Sequence, residues 1–133
     1  MVWYYKHLFK FQAMNNKPNS PVTAPSLKTQ SSTEDIRHIV LQQLSSIPMG
    51  KVCTYGDLAK LSGYPSHSRF AGRVLRKLPA DTKLPWHRVI NGQGRISFPQ
   101  DSTAYNKQLS RLESEGVIML NGRVDLKVYR IRL

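Results

Sequence analysis

The stretch that decides the fold runs from Thr54 to Leu78 and reads TYGDLAKLSGYPSHSRFAGRVLRKL. Its first half has the pattern of a short helix, because Thr54 can cap the N-terminus and Gly63 can end the helix. A tight turn containing Pro65 follows. The second half, from Ser66 to about Leu78, predicts a helix with apolar residues on one face and basic residues on the others. Two short helices joined by a turn, the second of them basic, indicate a helix-turn-helix.

The chain is strongly basic, with 20 Lys and Arg against 8 Asp and Glu and a formal net charge of +12. This charge predicts a polyanionic partner; nucleic acid is favoured, and an anionic membrane surface is the alternative. The charge is concentrated on the second predicted helix and the loop after it. There a single acid, Asp81, stands against seven basic residues: Arg69, Arg73, Arg76, Lys77, Lys83, Arg88 and Arg95. A basic recognition helix predicts contact with nucleic acid.

The segments after the helix-turn-helix predict a small β component. The sequence WHRVIN, residues 86–91, suits a strand, and a helix with apolar residues at helical spacing ends at Gly116. Asn121 and Gly122 are the preferred pair for a type I′ turn, so the C-terminal segment predicts a hairpin whose second strand continues through DLKVYRIRL, residues 125–133. A helix-turn-helix followed by a β ribbon is a winged helix.

The segments before the helix-turn-helix divide into an extension and the start of the domain. Ser32 and Asp35 have capping-box spacing and begin a helix predicted over about 33–46, followed by an extended KVCTY. Residues 1–32 predict a flexible N-terminal extension, because their last part is rich in Pro, Ser, Asn and Thr and lacks hydrophobic periodicity. We therefore predict one domain over 33–133, mainly α with small β, of the winged helix-turn-helix type.

The extension carries no export or membrane signal that we recognise. Its aromatic start is interrupted by Lys6, His7 and Lys10, and no apolar run approaches the roughly 18 residues of a spanning helix. Because Met14 heads the polar stretch, residues 1–13 are interpreted as an upstream extension that results from a misassigned start before Met14; a small aromatic surface anchor is the alternative. We expect a cytoplasmic protein, nucleoid-associated when bound to DNA.

Three motifs in a specific order and spacing carry a family resemblance: GKVCTYGDLAKLSG (50–63), RFAGRVLRKLP (69–79) and LPWHRVINGQG (84–94). They resemble the C-terminal DNA-binding domain of the O6-alkylguanine-DNA alkyltransferases, whose signature is Pro-Cys-His-Arg-Val. The resemblance covers residues 33–116 well and the terminal hairpin loosely. Here Trp86 stands at the cysteine position, as in the alkyltransferase-like proteins.

Trp86 limits the chemistry that this site can perform. Transfer of an alkyl group from guanine O6 needs a thiolate that attacks carbon in line, and an indole has no comparable lone pair. We therefore expect no enzymatic activity. The sole cysteine is Cys53, which excludes an internal disulfide, supports no cysteine zinc site and fits a reducing compartment. In its strand-like context Cys53 is expected to be a core residue, and no cofactor or metal is expected.

The resemblance implies a set of residues at the DNA. Arg69, 17 residues before Trp86, matches the arginine that inserts into the duplex in place of a flipped nucleotide. Tyr55, 31 residues before Trp86, matches the tyrosine that crowds the 3′ phosphate and faces the flipped guanine. Small residues on the second helix match those that let it enter the minor groove. The set expected at the DNA is Tyr55, Ser68, Arg69, Ala71, Gly72, Arg73 and Arg76.

The resemblance also implies a pocket for the damaged base. Tyr55, Trp86 and Val89 are expected to bind the alkylguanine, and the main-chain carbonyls of Trp86 and Val89 to accept hydrogen bonds from its amino group. After Gly94 the chain reads RISFPQDSTAY, residues 95–105, where the family usually has a Gly-rich tract containing Tyr. This departure predicts a wider roof that admits adducts bulkier than methyl, with Trp86 as an apolar wall.

The proton relay of the alkyltransferases has counterparts in this chain that lack a thiol to activate. His87 and Glu115 match the two relay residues, and we expect them to persist as a structural hydrogen-bond pair. Arg88 is expected to tie the site loop to neighbouring structure. The relay is therefore interpreted as vestigial.

These observations support three hypotheses of different classes. The first is a monomeric, non-enzymatic sensor that flips O6-alkylguanine out of duplex DNA and flags it for nucleotide excision repair proteins. The second is a winged-helix DNA-binding regulator without damage specificity. The third is an alkyltransferase that uses Cys53, or another demethylating enzyme. The resemblance favours the first.

Overall fold

A computed structural model describes residues 32–133. Except for Ser32, the predicted N-terminal extension, residues 1–32, lies outside the described residues. The first helix, α1, spans Thr33–Ser45. The predicted capping box is confirmed: the Asp35 N–H donates to Ser32 Oγ over 3.1 Å, and the Ser32 N–H donates to the Asp35 carboxylate over 3.3 Å. Helix α1 contributes Val40, Leu41 and Leu44 to the core.

The helix-turn-helix is formed by α2, Tyr55–Leu61, and α3, Ser68–Arg76. Thr54 caps α2 as predicted, and Gly63 follows the helix with a φ of +89°. Helix α3 is shorter than the predicted 66–78. Its start is delayed because the His67 N–H closes a turn onto the Tyr64 carbonyl, and its end precedes Pro79, which disfavours helical conformation in the residue before it.

Two short parallel strands bring the motif of residues 50–63 beside the motif of residues 84–94. Strand β1, Cys53–Thr54, pairs with β2, Val89–Ile90, in the register Cys53↔Val89 and Thr54↔Ile90. The predicted strand over 86–91 is wrong for its first three residues, since Trp86–Arg88 form a 3₁₀ helix. The cause is a tight turn around Pro85, in which the Trp86 N–H donates to the Leu84 carbonyl over 2.8 Å.

The C-terminal part contains α4, Thr103–Ser114, and the predicted hairpin of β3, Met119–Leu120, and β4, Arg123–Val124. Asn121 and Gly122 have φ values of 54° and 75°, as a type I′ turn requires. The prediction that the second strand continues through residues 125–133 is wrong. The Asp125 carboxylate accepts the Lys127 N–H and starts a helical turn, α5, Leu126–Tyr129. Arg130 then pairs in parallel with Val52.

The buried residues form two hydrophobic clusters on either side of the parallel strands. The first cluster joins α1, α2 and α3, and includes Cys53 and Val89. The second joins α4, the hairpin and α5, and includes Val52 and Ile90. Successive residues of an extended segment face opposite sides, so Val52 and Cys53, at the start of β1, and Val89 and Ile90 in β2 contribute to different clusters. Among residues 32–133, no helix has the length and apolar character needed to cross a membrane.

Gly94 fixes the hairpin against the loop that follows β2. Its φ is +81°, and a Cβ built at this position would lie 2.6 Å from the Val124 carbonyl oxygen.

We expect Gly94→Ala to lower the free energy of unfolding by about 2 to 4 kcal/mol, from backbone strain and overpacking together. Urea denaturation measures the change. Gly92→Ala is the matched control, because nothing lies within 4 Å of its Cβ position. Equal stability of the two variants would contradict this account of the loop.

Candidate nucleic-acid interface

Helix α3 forms one wall of an open, basic groove of about 500 Å³. Three arginines of α3 line it, together with Tyr55 at the start of α2 and residues of the loop after β2. None of the three makes a salt bridge to a residue within 32–133, so their charge faces solvent. The residues that line this arginine groove are Tyr55, Ser68, Arg69, Gly72, Arg73, Arg76, Asn91 and Ser97.

The predicted DNA-contacting residues do not all face this groove. Ala71 is fully buried in the first core cluster, so its side chain does not line the groove, and the close approach of its main chain to DNA stays a prediction. The reason is helical spacing: Ala71 stands three and four residues before Val74 and Leu75, which pack in the same cluster. Gly72, one position further, faces the groove as expected.

A smaller, more enclosed pocket of about 60 Å³ adjoins the arginine groove and has Trp86 in its wall. Tyr55, Gly72, Arg76 and Ser97 line both spaces, so the pocket opens beside α3. We call it the Trp86 pocket. Its full lining is Tyr55, Gly72, Leu75, Arg76, Trp86, Ser97, Phe98 and Gln108.

The indole of Trp86 is held by neighbours on two elements. The ring of Phe98 meets it edge to face, with the centroids 6.1 Å apart, and the guanidinium carbon of Arg111 lies 5.4 Å from its ring centroid. Both arrangements are attractive, the first between ring quadrupoles and the second between a cation and a π face. Trp86 is thereby a packed wall of the pocket and offers no thiolate.

A hydrogen-bonded carboxylate fixes the loop that carries Trp86. Glu115 at the end of α4 accepts from His87 Nε2 over 2.7 Å, from Arg88 Nε and Nη2 over 2.9 and 2.7 Å, and from the Gly50 N–H over 3.2 Å. Arg88 Nη1 also donates to the Ile47 carbonyl over 2.6 Å. The structure thus brings His87 and Glu115 together, and Arg88 ties the loop to the segment after α1.

The protonation of this cluster follows from its contacts. Burial on its own would raise the pKa of Glu115, but hydrogen bonds from Arg88, His87 and Gly50 outweigh burial and lower the pKa to about 2. Burial lowers the pKa of His87, against the opposite effect of Glu115. An ionised carboxylate only accepts, so the proton of neutral His87 lies on Nε2. His87 Nδ1 is then a buried acceptor without a partner in the described part of the chain.

Gln108 on α4 holds the backbone of the same loop and was missed by the sequence analysis. It is 2% exposed, and its side-chain amide donates to the carbonyls of His87 and Val89 over 3.1 and 2.9 Å. The available signal was its spacing: Gln108 falls between Tyr105 and Leu112 on the apolar face of the helix, where a polar residue implies a buried hydrogen bond.

The side chain and the main chain of Val89 have different surroundings. The side chain is 1% exposed and packs in the first core cluster, outside the lining of the Trp86 pocket, so only the main chain is left to bind an alkylguanine, and that binding stays a prediction. Its carbonyl accepts from Gln108, and the Trp86 carbonyl accepts from the Val89 N–H. Each carbonyl oxygen keeps a second lone pair.

Cys53 lies in β1 and is fully buried. Burial, followed by the negative charge of Asp57, raises the pKa of its thiol to about 12. Only about one molecule in 10⁵ would carry the thiolate at pH 7, since each pKa unit changes the ratio tenfold. A cysteine that is neither ionised nor accessible is a core residue and not a nucleophile.

These features define a winged helix-turn-helix DNA-binding domain with a pocket beside its recognition helix. Residues 35–117 match the family model described as 6-O-methylguanine DNA methyltransferase, DNA binding domain. The chain belongs to this family, and its similarities below place it with the alkyltransferase-like proteins.

Relatives include a DNA base-flipping protein of Escherichia coli, 38% identical over 114 residues that cover 85% of this chain and 87% of the relative. Alkyltransferase-like protein 1 of Schizosaccharomyces pombe is 45% identical over 94 residues, 71% of this chain and 85% of the relative.

Among solved structures, S. pombe Atl1 in complex with damaged DNA containing O6-carboxymethylguanine is similar with a TM-score of 0.72 and 34% identity, over 77% of this chain and 100% of that chain. Mycobacterium tuberculosis OGT in complex with DNA gives a TM-score of 0.54 and 28% identity, over 65% and 51% of the two chains.

The Glu115 cluster predicts a specific pH dependence. The folded pKa of about 2 lies below the ordinary value of 4.5, so the carboxylate stabilises the fold fully above pH 4.5, and that contribution is lost as the pH falls towards 2. We expect Glu115→Gln to cost about 2 to 4 kcal/mol at pH 7, because Arg88 and His87 lose a charged acceptor.

Urea denaturation from pH 7 to pH 2 tests this expectation. The difference between wild type and Glu115→Gln should shrink between pH 4.5 and 2. The lowered pKa of His87 has the same sign, and its effect begins as the pH falls below about 6.5, before the carboxylate starts to titrate. Glu113→Gln, at an exposed position of α4, is the control. A difference that stays constant down to pH 2 would exclude Glu115 as the stabilising carboxylate.

Proposed function

We propose that this protein is a sensor of O6-alkylguanine in duplex DNA that binds the flipped base and does not repair it. The observation that carries the proposal is that Trp86 forms a wall of a pocket beside the basic recognition helix. By the resemblance stated above, this is the position where the alkyltransferase signature has cysteine. The base-flipping and alkyltransferase-like relatives support this role.

Electrostatics supports DNA as the partner. The side chains of Arg69, Arg73 and Arg76 face one groove on one side of α3, where they can neutralise phosphates and release counterions. We propose that α3 docks in the minor groove, as the resemblance implies. Gly72 supports this proposal, because a residue without a side chain at the centre of the arginine groove permits close approach of the helix backbone.

The flipped base is proposed to lie across the boundary between the arginine groove and the Trp86 pocket. A pocket of about 60 Å³ is far below the roughly 300 Å³ of small ligand sites, so the base needs both spaces. Tyr55 lines both and would contact the base, while Arg69 would fill the gap in the duplex. The carbonyls of Trp86 and Val89 would accept from the guanine amino group through their second lone pairs.

The surroundings of Trp86 support binding of bulky adducts. A third space of about 240 Å³ is lined mostly by apolar residues and shares Leu75, Arg76, Trp86 and Phe98 with the Trp86 pocket. We propose that a long O6 substituent passes along Trp86 into this space. Lys107 lines it and would favour a substituent with a terminal carboxylate.

Recognition without repair requires a downstream step. Trp86 cannot accept an alkyl group, and the buried thiol of Cys53 cannot replace it. We therefore propose that the monomeric protein hands the marked site to nucleotide excision repair proteins. A winged-helix regulator would also have the basic helix but would not prefer a damaged base. Measuring the affinity for damaged and undamaged duplexes therefore separates the two hypotheses.

Binding to three matched duplexes tests the function. We expect tighter binding to O6-methylguanine and to a bulkier O6-alkylguanine than to guanine, affinity that falls steeply with salt, and an unaltered base afterwards by mass spectrometry. Equal affinity for all three would support the regulator; loss of the alkyl group would support an enzyme.

Arg69→Ala should reduce the free energy of binding to lesion DNA by about 1 to 3 kcal/mol. Arg69→Lys should retain the salt dependence of binding but lose most of the lesion preference.

Gly72→Ala separates DNA binding from stability. A Cβ at this position would lie 3.8 Å from the Tyr55 ring, an ordinary contact, and alanine should stabilise α3 by about 0.5 to 1 kcal/mol. The same methyl group faces the proposed DNA surface, so we expect weaker binding to every duplex. Thermal denaturation and fluorescence anisotropy measure the two effects. Unchanged affinity in the stabilised variant would show that α3 does not approach DNA at this point.

A further inference from the structure

A second groove, of about 660 Å³, lies on the hairpin and away from α3. Strands β3 and β4, helix α5 and the turn at Gly92 and Gln93 form it. None of its lining residues lines the arginine groove or the Trp86 pocket. Its size falls within the roughly 300–1,000 Å³ of ligand-binding clefts. We call it the hairpin groove, and the proposed function assigns nothing to it.

The outward face of β3 is unusually apolar for a surface hairpin. Val117 and Met119 point inwards and pack on the second core cluster, whereas Ile118 and Leu120 are 58% and 71% exposed. The solvent face of an antiparallel hairpin is normally polar. Val128 on α5, 55% exposed, lines the same groove. Three exposed aliphatic side chains in one groove indicate an interaction surface.

The charges around these aliphatic residues are mainly positive. Arg123 and Lys127 line the groove, and the guanidinium of Arg95 lies beside Gly122 at the tip of the hairpin. The one acidic residue among the lining residues, Asp125, uses its carboxylate to cap α5. An apolar floor with a positive rim complements a segment that presents both aliphatic and acidic side chains.

We propose that the hairpin groove docks an acidic, amphipathic segment of a partner protein. Other occupants fit less well. Residues 1–31 carry four Lys and no Asp or Glu, and a second copy of the chain carries a net charge of +12, so both would be repelled. DNA phosphates would suit the cations but would leave Ile118, Leu120 and Val128 uncovered.

The position of the groove permits binding to a partner and to DNA at the same time. The loop from Asn91 to Ser97 separates the two surfaces: its ends line the arginine groove, and Gly92 and Gln93 line the hairpin groove. The N–H groups of Gln93 and Arg95 donate to Asn91 Oδ1 and close the loop on itself. The Val124 N–H donates to the Gly94 carbonyl and holds the loop on the hairpin. The docking proposal does not depend on the lesion preference and stands if that preference is absent.

A random 16-residue peptide library displayed on phage, selected against the full chain saturated with duplex DNA, tests the proposal. We expect enrichment of peptides that combine Asp or Glu with Leu, Ile, Val or Phe. The selected peptides are then synthesised. The double variant Ile118→Ser with Leu120→Ser should lower the affinity for these peptides at least about tenfold, the effect of removing central anchors. Lys127→Glu should lower the affinity about threefold to tenfold.

Matched controls replace exposed residues of the same kind elsewhere. Met49→Ser removes an apolar side chain that is 72% exposed, and Lys51→Glu inverts an exposed charge; neither should change peptide affinity. All variants should keep the wild-type melting temperature and affinity for duplex DNA.

Four outcomes would overturn the proposal: no acidic enrichment, selected peptides insensitive to the groove variants, loss of duplex affinity in the Ile118 and Leu120 variant, or a dimer that this variant abolishes. The last two would assign the groove to DNA or to a second copy. Tight binding of a synthetic 1–31 peptide at the groove, without acidic enrichment, would assign it to the chain's own N-terminal segment.

Discussion

The buried carboxylate of Glu115 is the contact on which the rest of the site depends. It joins the end of α4 to His87 and Arg88 in the loop before β2 and to the Gly50 N–H in the turn after α1. These groups come from three separate parts of the chain and meet at one pair of oxygen atoms. Because the carboxylate remains ionised, it can satisfy four donor contacts and fix the backbone that presents Trp86.

This cluster explains how a loop that carries no nucleophile can hold a fixed shape. In a reactive site, a histidine beside a carboxylate would activate a thiol. Here the same pair holds neutral His87 in one tautomer and anchors a 3₁₀ turn, while Gln108 fixes the next carbonyls from the opposite side. The groups that form these hydrogen bonds are largely buried, so removing any of them would leave an unsatisfied partner. Structural necessity is sufficient to preserve them.

The two halves of the molecule carry surfaces of different chemistry. The parallel strands β1 and β2 separate the core under the helix-turn-helix from the core under the hairpin. The basic face of α3 therefore develops on one side and the apolar groove of the hairpin on the other. The loop from Asn91 to Ser97 belongs to both sides, and Gly94 is required there because any side chain would meet the Val124 backbone.

The sequence by itself determined the helix-turn-helix, the type I′ hairpin, the basic recognition helix and the absence of a thiol at position 86. Each of these depends on local rules, namely caps, helical periodicity, turn residues and the chemistry of one side chain. Only the tertiary structure decided that Ala71 and Val89 face the core, that Gln108 binds the loop carbonyls, and that residues 125–129 turn instead of extending. Local spacing and caps can indicate that a residue is buried or that a turn begins, but the partners that these residues pack against lie in distant segments, and only the tertiary structure identifies them.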